Sequence, residues 1–349
     1  MRVGFYDDPA YREHDAGLGH PERPERLDAL VQGLRQGALI DRLAALPARP
    51  ATPTELLRVH TEEHVSLVAS SRGRTFRFDP DTQAGPRSYD AALLAAGAAA
   101  DAVDRVLLGE IDRAFCAVRP PGHHATADRA MGFCLFNNVA VAAALALHRG
   151  LKRVMIVDFD VHHGNGTQQI FYDVPEVRYV SLHGDPDRAF PYYTGRAAES
   201  GHGPGSGANR NFPLAEGCGD EEYLAVLDSA LDLIGAGRPA GLIVSLGLDT
   251  YRLDPICDLA LTTEGYRHIG RRVERLGLPT VVVQEGGYHL PDLGANARSW
   301  LRGFLGLDAA QPEPAHVADS GPAQSGPAQS RPAQPGPAQS RPTRPGRHV

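Results

Sequence analysis

Short apolar runs recur along this chain, separated by longer stretches with helical spacing. Arg2–Tyr6, Ala114–Val118, Val154–Val157, Val177–Leu182, Gly241–Leu246 and Val281–Val283 read as buried strands. A helix launches from the proline-punctuated loop Gly19–Arg26 and runs to about Gln36, where Gly37 closes it. Ser88–Leu108 and Asn137–Arg149 are alanine-rich, helically spaced and each closed by a glycine. Glu221–Ile234, Thr263–Leu276 and Asn296–Leu305 complete the expected helices. Strands and helices alternate with short connections, which predicts an α/β fold with a mostly parallel sheet covered by helices on both faces. Gly184–Pro213 breaks the pattern. It is rich in Gly, Pro and Tyr, lacks periodicity, and is expected to be a functional loop.

The polar residues that end the strands carry chemistry. Val154–Val157 runs into Asp158-Phe159-Asp160-Val161-His162-His163-Gly164-Asn165-Gly166. Side chains two apart share a face of an extended chain, so Asp158, Asp160 and His162 project together. Oxygen and nitrogen donors in that arrangement suit Zn²⁺. Ala114–Val118 leads into Arg119-Pro120-Pro121-Gly122-His123-His124, Gly241–Leu246 into Gly247-Leu248-Asp249, and Val281–Val283 into Gln284-Glu285-Gly286-Gly287-Tyr288. Parallel α/β sheets bind ligands just beyond the carboxyl ends of their strands.

Composition narrows the setting. The chain has 349 residues, 42% hydrophobic and 22% charged, as in an ordinary globular protein. A formal charge of −7 argues against a nucleic-acid partner, and no apolar run is long enough for a membrane span. Cys116, Cys134, Cys218 and Cys257 show no CxxC pairing, and the first residues lack a signal-peptide core, so free thiols in a cytoplasmic protein are expected. Residues 1–309 read as one catalytic domain. In residues 310–349 the pentad Gly321-Pro322-Ala323-Gln324-Ser325 recurs with changes, which predicts a disordered tail.

Together, RPPGHHA, GFCLFNN (Gly132–Asn138), DFDVHHGNGT, LGLDT and QEGGY resemble the zinc-dependent histone deacetylase and acetylpolyamine amidohydrolase superfamily, over roughly residues 1–305. Leu182-His183-Gly184-Asp185-Pro186 and Ala189-Phe190-Pro191 look most like the bacterial acetylpolyamine amidohydrolases, while HGNGT is similar to the class II side. The resemblance implies an arginase/deacetylase-like fold and one Zn²⁺ held by Asp160, His162 and Asp249. It implies a substrate tunnel lined by Gly132, Phe133, Phe190 and Gly287. It also implies a structural K⁺ near Asp158, Asp160, His162, Ser181 and Leu182. Homo-oligomers occur among such proteins and are an open expectation here.

An amide is a poor electrophile and water a poor nucleophile, and a three-ligand Zn²⁺ addresses both while leaving positions open. Two aspartates reduce the site's formal charge to zero, so a separate base matters. His124, partnered by Asn165, is assigned as general base and then acid. His123 pairs with Asp158 and stays charged, and Tyr288 donates to the developing oxyanion. The expected reaction removes acetyl groups from N-acetylated polyamines or related amines. Acetyl-lysine protein is the alternative substrate, because the loop Ser70–Arg87 is short and Ile256 is no acidic gatekeeper. A dimanganese arginase-like hydrolase and a non-catalytic binder of acetylated ligands are the rival classes. The first lacks bridging carboxylates, and the second has no need of a base.

Taken singly, each motif has a plainer reading. Asp160 with His162 reads as a hydrogen-bonded pair, Asp249 as a helix cap, Tyr288 as packing, and Phe133 and Phe190 as core. Cys134 reads as a small buried apolar residue, and His20, His60 and His64 as surface or loop histidines. Asp79 and Asp81 read as turn residues, or as a rim that greets a cationic substrate.

Overall fold

A computed structural model describes residues 1–237 and 239–307. The expected tail, 310–349, and the last two residues of the expected domain lie outside the described residues. The elements in chain order are β1 (Val3–Tyr6), α1 (Glu25–Gln36), β2 (Ala44–Ala45), α2 (Pro53–Leu56), α3 (Glu62–Ala69), β3 (Phe76–Arg77), β4 (Gln83–Ala84), α4 (Ser88–Leu107) and β5 (Arg113–Cys116). They continue with α5 (Asn138–His148), β6 (Val154–Asp158), α6 (Asn165–Phe171), β7 (Val177–Gly184), β8 (Asn209–Leu214), α7 (Asp220–Gly237), β9 (Gly241–Leu246), α8 (Thr263–Arg275), β10 (Thr280–Gln284) and α9 (Leu290–Phe304).

Eight strands form one sheet in the order β2-β1-β5-β10-β9-β6-β7-β8, with every pairing parallel. The expected arginase/deacetylase-like architecture, a parallel sheet flanked by helices, is the one observed. Strands β5, β6, β9 and β10 are buried along almost their whole length, which is why they read as unbroken apolar runs rather than alternating ones. These four are the central neighbours β5-β10-β9-β6, so the motif that follows each one emerges beside the next. Helices α1, α9, α8 and α7 pack in succession, and α4 packs on α5. Helices α1 and α9 touch backbone to backbone: a Cβ on Gly33 would lie 2.2 Å from the carbonyl oxygen of Gly294.

Three expectations change. The stretch Gly184–Pro213 is not loop throughout, because β8 begins at Asn209 and adds an edge strand beside β7. Its inward positions include Asn209 and Asn211, held by Gln168 and Glu199, so no apolar alternation marked it. Helix α9 starts at Leu290 rather than Asn296. Pro291 lies in its first turn, where a missing N–H costs nothing. His60 and His64 are buried rather than on the surface. His60 bonds Thr126 O and Asn137 N, and His64 bonds Leu135 O.

One buried ionic cluster ties α1 to the sheet. Glu22 accepts from Arg119 Nε (2.5 Å) and Nη2 (2.7 Å) and from Arg26 Nη1 (3.0 Å), with His14 Nε2 at 3.1 Å. Burial by itself would raise the Glu22 pKa, yet Arg119 and His14 hold it well below the ordinary carboxylate value. Glu22→Gln would strand two buried guanidinium groups. The expected loss is about 3–5 kcal/mol of unfolding free energy, read from urea denaturation, against little change for Glu25→Gln at the start of α1.

Candidate active site

The site sits where the central strands end. Asp158 is the last residue of β6, and the chain then turns through Asp160 and His162 before α6 begins at Asn165. Asp249 follows β9 by three residues. No helix starts there, so the capping alternative falls away. One donor atom from each of Asp160, His162 and Asp249 lies within 4.8 Å of the others. His162 Nδ1 is 3.1 Å from Asp160 Oδ1 and 3.4 Å from Asp249 Oδ2.

The aspartates are buried and largely satisfied by backbone. Asp160 Oδ2 accepts from Gly286 N at 2.8 Å, Asp160 Oδ1 from His162 N at 2.9 Å, and Asp249 Oδ1 from Val161 N at 3.0 Å. Asp249 Oδ2 is buried and has no hydrogen-bond partner among the described residues. An orphaned carboxylate oxygen facing an imidazole nitrogen and a second carboxylate is a donor set that fits a divalent cation. Burial, then Asp160, pushes the Asp249 pKa up to about 7, the strain expected of adjacent anions.

The tandem histidines have different partners. His123 Nδ1 donates to Asp158 Oδ2 at 3.0 Å, and Tyr179 OH donates to the same oxygen at 2.9 Å. Burial opposes charge on His123, but Asp158 and Asp160 overcome it and lift its pKa to about 10. His124 Nδ1 lies 2.8 Å from Asn165 Oδ1. Burial, followed by His123 and His162, lowers its pKa well below the ordinary histidine value, so it is neutral at pH 7. Tyr288 is buried and its pKa is raised well above 10, chiefly by burial, so it keeps its proton and can donate.

A cavity of about 690 Å³ opens onto this floor. Gly132, Phe133 and Phe190 line it, together with His123, His124, His162 and Tyr288. Phe190 stands perpendicular to His124 with ring centroids 4.9 Å apart, and Phe133 perpendicular to Tyr288 at 6.1 Å. Gly132 (φ 55°) has no room for a side chain, since a Cβ would lie 2.5 Å from the His124 ring. The wall glycine after β10 is Gly286 rather than Gly287. Gly287 lies against Leu248 and Leu293. Asp81 lines the mouth, whereas Asp79 turns back to accept from Asp81 N at 3.0 Å. Asp158 pairs in register with Ser181, and Leu182 follows it on β7. Cys134 is buried and unpaired, as expected.

Several positioning residues escaped the sequence reading. Glu285, fully buried, accepts from Gly122 N (2.6 Å) and His123 N (3.2 Å) and so anchors the histidine loop to β10. Arg26 donates to the carbonyls of Gly287 (2.6 Å) and Glu285 (2.5 Å), and its guanidinium lies 4.6 Å from the Tyr288 ring centroid. Asp254 accepts from the backbone N–H of Tyr288 and His289. Glu285 was visible in QEGGY. Arg26 lies far from these motifs in sequence, and Asp254 follows LGLDT by four residues without a local pattern that marks its hold on the tyrosine turn.

Comparison with known proteins identifies the family and the fold. Residues 20–304 match the histone deacetylase domain. The chain is 47% identical over 193 residues to acetylpolyamine amidohydrolase 1 of Pseudomonas aeruginosa, covering 55% of this chain and 56% of that protein. It is 41% identical over 292 residues to histone deacetylase 15 of Arabidopsis thaliana, covering 82% of this chain and 53% of that one. These matches span little more than half the length of either relative. The crystal structure of an acetylpolyamine aminohydrolase from Burkholderia pseudomallei superposes with a TM-score of 0.79 at 32% identity, covering 87% of this chain and 98% of that one. With its sheet, its strand-end motifs and its sequence all in agreement, this chain belongs to the histone deacetylase domain family.

Proposed function

We propose that this protein hydrolyses the amide of an N-acetylated amine, releasing acetate, with one Zn²⁺ held by Asp160, His162 and Asp249. The observation that carries the reading is the convergence of those three donors, with Asp249 Oδ2 orphaned, on the floor of a cavity walled by His124 and Tyr288. When bound, the ion would polarise the acetyl carbonyl and acidify a water. The chain's own residues do the rest. Neutral His124 takes the water's proton at Nε2, because Nδ1 is engaged by Asn165. It then returns the proton to the departing amine. His123, charged and locked to Asp158, offsets negative charge nearby. Tyr288 donates its hydroxyl to the oxyanion. Phe133 and Phe190 exclude water and hold an extended alkyl chain between them. A structural K⁺ would be held behind the site by the segments of Asp158, Asp160, His162, Ser181 and Leu182, of which Asp158 and Ser181 pair in register. None of the helices among the described residues is long and apolar enough to cross a membrane.

For the substrate, the mouth favours a small acetylated amine that carries a second, cationic nitrogen. Asp81 and Asp258 both line it. Arg188 lies there too, but it is paired with Glu216 at 2.5 Å. The acetyl-lysine alternative rests on the similarity to histone deacetylase 15.

Turnover of N-acetylputrescine, N8-acetylspermidine and an acetyl-lysine peptide by zinc-loaded protein decides between the substrates. The expected order places the acetylated diamine or triamine first. Asp81→Asn with Asp258→Asn should raise KM for the cationic amines by about two- to fivefold at low salt and leave an uncharged acetamide unaffected. Tyr288→Phe should cost roughly 10²–10³ in kcat, as removal of an oxyanion donor does. Asp249→Ala should lose bound zinc, measured by elemental analysis, whereas His124→Ala should lose turnover and keep the metal. Full zinc occupancy in Asp249→Ala would falsify the ligand set.

A further inference from the structure

Asn165 can orient His124 only if its own carboxamide lies the right way round. The two ends of a carboxamide are nearly the same size and differ only in what they offer, an acceptor or two donors. With Oδ1 toward His124 Nδ1, the ring carries its proton on Nδ1 and leaves Nε2 free as a base. Turned over, the NH₂ group would donate to Nδ1 and force the proton onto Nε2, where the ring cannot accept one. What surrounds Asn165 Nδ2 therefore selects the tautomer.

Three acceptors surround it: Tyr193 OH at 3.2 Å, His124 O at 3.3 Å and Met131 Sδ at 3.4 Å. Sulfur is the weakest of these, so the two Nδ2 protons go to the backbone oxygen and the Tyr193 hydroxyl. Tyr193 can accept in this way because its own proton is directed at Met131 Sδ, 3.6 Å away. The loop is shaped for this contact. Tyr192 takes the left-handed conformation (φ 70°), uncommon for a tyrosine. Tyr192 lines the substrate cavity near Phe190, while Tyr193 lines a separate cavity of about 460 Å³ that also reaches Asn165 and Met131. One loop thus touches both the mouth and the back of the base.

We infer that Tyr193 is a positioning residue that acts through Asn165, holding the carboxamide so that His124 presents an unprotonated Nε2 to the substrate. The inference rests on His124 serving as the base in the proposed hydrolysis. It assigns to the rim loop 190–194 a part in preparing the base besides lining the entrance.

The test combines kinetics with a readout that needs no turnover. Tyr193→Phe removes only the hydroxyl. It should lower kcat about three- to tenfold, the effect of one orienting hydrogen bond, with KM unchanged. In an Asn165→Asp background both ends of the side chain are acceptors and no orientation can be lost, so adding Tyr193→Phe should change kcat less than twofold. Imidazole ¹⁵N shifts of His124 in zinc-loaded protein should report the Nδ1–H form in the wild type and a growing Nε2–H fraction in Tyr193→Phe. An equal kcat loss in both backgrounds, or a tautomer indifferent to Tyr193, overturns the inference. A wild type that hydrolyses no acetylated amine would instead sink the proposed function, and the ¹⁵N measurement would still judge Tyr193.

Discussion

Four carboxylates lie buried together at the ends of the central strands: Asp158, Asp160, Asp249 and Glu285, none more than 1% exposed. Removing such charges from water costs several kcal/mol each unless fixed partners replace the lost hydration. The surrounding structure supplies those partners. Backbone N–H groups of Gly122, His123, Asp160, Val161, His162 and Gly286 point at carboxylate oxygens, and His123 brings a positive charge. The loops after β5, β6 and β10 are thus tied to one another through the anions they enclose. With Ser245 Oγ donating to Glu285 Oε1, one oxygen of the four carboxylates is left, Asp249 Oδ2, and it lies 3.4 Å from His162 Nδ1.

The same burial produces two histidines of opposite character. His123 and His124 are adjacent and equally enclosed, so desolvation acts on both alike. The partner decides the outcome. A carboxylate holds His123 in its charged form, whereas the carboxamide of Asn165 cannot, and the charge on His123 further disfavours one on His124. Neighbouring titratable groups pushed apart in this way are the usual mark of an acid–base site. The adjacent pair differs in charge because His123 meets a carboxylate at the end of β6 and His124 a carboxamide at the start of α6.

A second buried layer supports the first. Glu22 gathers Arg26 and Arg119, and Arg26 passes the constraint on by binding the carbonyls on either side of Gly286. Asp254 fixes the same turn from the other side through the Tyr288 and His289 N–H groups. Tyr288 therefore hangs from a turn clamped at both its carbonyls and its amides.

Much of this was legible in the linear sequence because the relevant patterns are local. Fully buried parallel strands must be apolar along their length, so β5, β6, β9 and β10 announce themselves. Asp158, Asp160 and His162 stand close in sequence at the end of β6, which makes their common location legible, although the chain turns after Asp158 instead of continuing extended. The pairing of His123 with Asp158 joins the segments that end β5 and β6, strands that β10 and β9 separate in the sheet. What sequence could not express is which strands are neighbours. The order β5-β10-β9-β6 brings Asp249 to Asp160 and Glu285 to the His123 backbone across long stretches of chain, and only the folded sheet sets that adjacency. Arg26, Asp254 and Tyr193 work through backbone atoms or a single amide end, contacts indifferent to local pattern. Strand β8 was hidden for a related reason: two of its three buried positions are asparagines satisfied by tertiary hydrogen bonds, and polarity alone cannot reveal a partner that arrives from elsewhere in the fold.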